Sequence, residues 1–80
     1  MSFDPSDYEI VRTSDVSERD GIGVEISRDG KMLAEIFRDD TKRTRVIWLS
    51  NQEISLEEME GFIKIFKDSI PWDFIEYEGE

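Results

Sequence analysis

The chain has no cysteine and no histidine, and only ten bases stand against twenty acids. Without cysteine there is neither a disulfide framework nor a thiolate nucleophile, which fits a reducing compartment. Without histidine as well, the usual nucleophile–base pairs, the CxxC redox motif and the common zinc ligand sets are excluded. Glycine is sparse, and no phosphate-binding loop is present: the two glycines of "DGIGVE", Gly21 and Gly23, lead into a strand and not a helix. "DVSERDG" from Asp15 departs from a calcium loop, with its glycine at the seventh position and Ile26 at the twelfth. No apolar run approaches the roughly 20 residues that span a bilayer. The opening "MSFDPSDYE" carries acids before any base, the reverse of a signal peptide. These absences predict a cytoplasmic protein with no catalytic residues, no cofactor, no metal and no membrane association.

What is present is one domain of 80 residues with a small core, with flexible ends expected at 1–7 and 78–80. Its net charge of −10 is unevenly placed. Residues 1–20 hold six acids and two bases; residues 21–51 hold five and six; residues 52–80 hold nine and two. Both ends are therefore acidic and the middle is not. Such a charge repels nucleic acid and anionic membrane and favours a basic protein partner. Close pairs of carboxylates arise by chance at this density, and a chain this short has little room for a deep pocket.

Two alternating segments flank Asp29-Gly30 in "GIGVEISRDGKMLAEIFR", the signature of a hairpin. A two-residue loop would place Glu35 within an apolar face. A three-residue loop, Arg28 to Gly30, places Ile22, Val24 and Ile26 with Met32, Ala34 and Ile36, and that register is the expected one. It leaves Leu33 and Phe37 on the far face, in need of cover. "TRVIWLS" (Thr44–Ser50) is apolar through its centre and predicts a strand buried on both faces or partnered on the second. "YEIVRT" (Tyr8–Thr13) predicts an earlier strand.

Ser55 with Glu58 three residues on is a capping box, and Pro71 ends the helix it opens near Asp68 or Ser69. Leu56, Met59, Ile63, Phe66 and Ile70 form the expected apolar stripe, with Phe62 at its border and Ile65 off it. Glu60 and Lys64 form a favourable pair one turn apart. The fold class is thus α+β: a three- to four-stranded antiparallel meander in β-β-β-β-α order, one C-terminal amphipathic helix on one face, and a short apolar and acidic tail. In that tail, "SIPWDFIEYEGE", Trp72 and Phe74 are expected to fold back as core at the sheet–helix edge.

Two kinds of partner surface follow. An acidic inhibitor or immunity-type module would bind a basic protein through Glu57, Glu60, Asp73, Glu76 and Glu78, with Leu33, Phe37, Trp48, Trp72 and Phe74 as its apolar contacts. The alternative is a homodimer with weak single-stranded nucleic-acid contact through Arg38, Lys42, Arg43 and Arg45, where Trp48, Phe37 and Tyr8 could stack on bases. The junction "VIWLSNQEISLEEMEGFIKIF" (Val46–Phe66) runs from a strand through a serine-containing turn into a helix. It resembles, in topology, the single-stranded-DNA-binding transcriptional coactivators of the positive-cofactor type, a resemblance that implies a helix pairing two subunits. The chain departs from that family in its acidity and in lacking a basic series along its strands.

Replacing Ser55 by Ala should lower stability by about 1 kcal/mol through loss of the helix cap. An unchanged thermal melting curve would mean that the helix begins elsewhere.

Overall fold

The computed structural model describes residues 3–16, 20–50 and 53–75. Four strands, β1 (Glu9–Asp15), β2 (Gly21–Arg28), β3 (Lys31–Asp39) and β4 (Thr44–Leu49), form one antiparallel sheet in the order β1-β2-β3-β4. A single turn of 3-10 helix (Pro5–Asp7) precedes them, and helix α1 (Leu56–Ser69) follows. The fold is the α+β meander with a C-terminal helix that the residue pattern predicts.

The hairpin brings Val24, Ile26, Ala34 and Ile36 to the expected shared face by a device other than the expected three-residue loop, but Met32, paired with Ser27, does not join them. Asp29 (φ 55°) and Gly30 (φ 78°) both adopt left-handed backbone, so the loop has two residues and Arg28 pairs with Lys31. Ser27 then pairs with Met32, but Ile26 pairs with Ala34, which leaves Leu33 as the extra residue of a bulge. The bulge shifts the register by one. It returns Val24 and Ile26 to the face of Ile36 and Ala34, and puts Arg38 opposite Ile22. The same extra residue breaks the alternation, so Leu33 packs against the helix-side core and not on the far face.

Phe37 does lie on the far face, opposite Gly23, and is only 1% exposed. Its ring occupies the space that the glycines of β2 leave open. A Cβ at Gly21 or Gly23 would come within 2.9 Å of that ring. Phe37 thus packs over the glycines of β2 on the face of the sheet away from the helix.

Helix α1 begins as its cap dictates. Ser55 Oγ accepts from the Glu58 N–H at 3.0 Å, and Glu58 Oε1 accepts from the Ser55 N–H at 3.3 Å. Its buried face is Gly61, Phe62, Ile65 and Phe66, joined by Ile70 just beyond the helix. The expected stripe is therefore rotated: Ile65 is core, while Leu56 is 68% exposed. The helix lies across β2 and β3, and the residues that meet those two strands are the ones that win burial. Lys64 pairs with Asp68 at 2.9 Å, one turn on. The core joins Phe62, Ile65, Phe66 and Ile70 to Val24, Ile26, Ala34 and Ile36. Phe3 and Tyr8 close it at one end, stacked at 5.1 Å with both edges against Phe62.

Gly23→Ala should destabilise the protein by about 1–3 kcal/mol, the ordinary range for overpacking. The new methyl group meets the Ile36 carbonyl and the Phe37 ring. Urea denaturation tests this, and an unchanged midpoint would contradict the placement of Phe37.

Candidate functional site

Three regions carry the side chains singled out by sequence, and the fold does not bring them together. The first is the start of α1. Tyr8 Oη donates to Glu58 Oε2 at 2.7 Å, and Arg28 lies 3.6 Å from the same oxygen. These residues, with Phe3, Asp7 and Ser55, line a cleft of about 420 Å³. The hydrogen bond from Tyr8 holds the Glu58 carboxyl below its usual range. Burial, aided by that carboxylate, pushes the Tyr8 phenol up. At neutral pH Glu58 is therefore a committed acceptor and Tyr8 a committed donor, and neither is poised to exchange a proton. Both oxygens of Glu58 are in use, one on Tyr8 and one on the cap. Glu57 and Glu60 stand exposed beside them.

The second region is the β3–β4 turn. The four predicted basic residues do not share one exposed face here. Arg38 is 3% exposed. Its guanidinium donates to both oxygens of buried Asp40, at 2.9 and 3.1 Å, and to the Pro71 carbonyl at 2.6 Å. Asp40 also accepts from the Ile75 N–H at 3.2 Å. Arg45 donates to the Trp72 carbonyl and lies 3.7 Å from the Trp72 ring centre and 4.2 Å from that of Phe74. Arg43, in left-handed backbone at φ 56°, sits 5.0 Å over Phe74. Asp39 Oδ1 accepts from the N–H groups of Thr41 and Lys42, which sets the turn.

Three of the four bases therefore hold the chain's own C-terminal segment by charge-assisted hydrogen bonds and cation–π contact. Lys42 is exposed. Trp72 and Phe74 fold back on the sheet–helix edge as expected, but they are not core. Trp72 is 49% exposed, with one edge toward Phe66 at 6.5 Å. Arg45 stacks on both rings and Arg43 on that of Phe74. Asp73 is exposed; Glu76 and Glu78 lie outside the described residues.

The third region is β4 with the face of the sheet away from the helix. Across that face Val11, Glu25, Glu35 and Trp48 form one row, and Thr13, Gly23, Phe37 and Val46 the next. Val46 is 40% exposed and Trp48 50%. Ile47, on the helix side, is 44% exposed because α1 covers β2 and β3 but not β4. Strand β4 was expected to be buried on both faces or partnered on one. It is not buried on both: it is one of the two outermost strands, and its apolar centre is half-exposed on each face. Phe3 and Tyr8 pack on the helix side, as does the segment from Trp72 to Ile75, so neither covers the far face.

No known protein family, curated protein sequence or solved structure matches this chain. Among the described residues no group of carboxylates is placed to hold a metal ion, and no helix is long and apolar enough to cross a membrane. The helix buries its apolar face on its own sheet, whereas the coactivator resemblance implied a helix shared between two subunits. Strand β4 as an exposed edge was not legible from its residues, because the apolar run of four, Val46 to Leu49, reads equally as a central strand.

Asp40→Ala should cost about 3–5 kcal/mol, since it leaves Arg38 buried without its partner. The double variant Arg38→Met, Asp40→Leu should recover part of that loss in urea denaturation. A single variant as stable as the parent would contradict the buried pair.

Proposed function

We propose that the chain is a non-enzymatic protein-interaction module whose contact surface is the outer strand β4 and the adjoining open face of the sheet. One observation carries this reading. Val46, Ile47 and Trp48 are consecutive, apolar and 40–50% exposed on one of the two outermost strands. Proteins ordinarily blunt such an edge with a lysine, a proline, a bulge or a covering element. Strand β4 has no lysine, proline or bulge, its one charged residue, Arg45, is engaged with Trp72 and Phe74, and its apolar centre is half-exposed on both faces. The net charge of −10 steers the module toward basic proteins and away from nucleic acid. Arg38, Arg43 and Arg45, which a nucleic-acid contact would need, are engaged with the C-terminal segment.

A second reading keeps the acidic inhibitor or immunity-type role on the first turns of α1, where Glu57 and Glu60 flank exposed Leu56. Side chains that approach there would meet a carboxylate surface much as they would meet phosphates. The acids and rings named for that role, however, fall at opposite ends of the helix and on opposite faces of the sheet.

A photo-crosslinking residue placed at Trp48, and separately at Glu60, distinguishes the two in cells that make the protein. Adducts from position 48, to another protein or to a second copy, are the expected result. Adducts from position 60 alone would overturn the edge reading in favour of the helix. Silence at both positions would remove both.

A further inference from the structure

We propose that β4 pairs with β4 of a second copy of this chain, antiparallel about a two-fold axis at Ile47, joining two four-stranded sheets into one of eight strands. The proposal rests on the reading of β4 as the contact surface and names its occupant.

The backbone selects the register. The Asp40 N–H donates to the Asp20 carbonyl at 2.7 Å, and the Ser50 N–H donates to the Leu33 carbonyl at 3.0 Å. Hydrogen-bonded pairs alternate along an antiparallel ladder. Even-numbered residues of β3 from Ala34 on therefore turn their N–H and C=O groups toward β2, and odd-numbered ones turn theirs toward β4. On β4 the inward groups belong to Thr44, Val46 and Trp48, as they do to Ser50 just beyond it. Those of Arg45, Ile47 and Leu49 point outward from the sheet. A strand added at this edge must meet these three residues. Pairing Ile47 with Ile47 of the second copy, and Arg45 with its Leu49, engages all three at once.

That register is also self-complementary in side chains. On the open face Val46 comes opposite Trp48 of the second copy, and the two-fold axis repeats the pair. Aromatic and β-branched neighbours across strands are a favourable combination. On the helix side the two exposed Ile47 side chains meet at the axis. Isologous contact of this kind is the commonest way in which a protein pairs with itself.

Charge supports a second copy here although the chain as a whole repels itself. Residues 41–50 contain three bases and no acid, so two chains of net −10 meet where neither brings a carboxylate on the strand. The antiparallel arrangement also sets the end that carries Lys42 against the end of the other copy that leads to Glu53. An extended acidic peptide would match the bases but not the symmetric Val46–Trp48 arrangement.

Sedimentation velocity on the purified chain over a concentration series tests this, with Ile47→Pro and Ile47→Lys as variants. The Ile47 N–H points away from β3, so proline there leaves the β3–β4 ladder intact while removing the central intermolecular donor. Lysine at 47 places two like charges face to face at the axis. The unsubstituted chain should sediment at twice the monomer mass and dissociate on dilution, and both variants should be monomers with unchanged circular dichroism. If the proline variant unfolds, the lysine variant decides alone. A monomer at every concentration, or a dimer that Ile47→Lys leaves intact, overturns the proposal. A monomeric chain that still crosslinks from position 48 to a different protein overturns the second copy while leaving the edge reading standing.

Discussion

The rest of the molecule depends on the register of β2 against β3. Asp29 and Gly30 impose a two-residue turn, and that turn alone would place Glu35 among the apolar residues facing the helix. One extra residue, Leu33, shifts the pairing so that Val24, Ile26, Ala34 and Ile36 share a face. Phenylalanine 62 and its neighbours on α1 then have a surface to cover, and Phe37 is turned to the other side over Gly21 and Gly23. The same register decides which backbone groups of β3 serve β4, and so which groups of β4 point outward.

A second constraint acts at the opposite end of the helix. Pro71 stops α1, and the segment after it is held by Arg38, Arg43 and Arg45 through carbonyl oxygens and aromatic faces. Buried Asp40 neutralises Arg38 and also receives the Ile75 N–H. The one basic stretch of an acidic chain thus serves internal structure. It attaches the segment from Trp72 to Ile75 without burying it: Trp72 and Ile75 each remain 49% exposed. This arrangement directs the segment from Trp72 to Ile75 toward the helix side of the sheet, while Val11, Val46 and Trp48 are half-exposed on the far face.

Much of the secondary structure was legible from local chemistry. The Ser55–Glu58 box and Pro71 mark both ends of α1, and Asp29-Gly30 marks the hairpin. What was not legible involves contacts between distant residues. Ile65 lies off any stripe drawn through Leu56 and Met59, yet it is buried because the helix crosses β2 and β3 at an angle that favours it. A bulge leaves no composition signal, so the displacement of Leu33 to the core side could not be read. Arg38 looked like a surface charge until Asp40 and Pro71 were found around it. Of the candidate partner residues, Trp48 and Glu60 are accessible, Leu33 and Phe37 are covered, and Glu76 and Glu78 lie outside the described residues.

The sequence by itself determined the α+β order, the helix limits, the position of the turn though not its length, and the absence of thiol and imidazole chemistry, because each follows from residue type or from neighbours within one turn. Only the tertiary structure decided that β4 is an edge, that the arginines hold the segment from Trp72 to Ile75, and that Trp48 and Glu60 lie on different sides of the sheet. Those outcomes depend on which strands pair and where the helix rests, and pairing energy is shared among residues far apart in the chain.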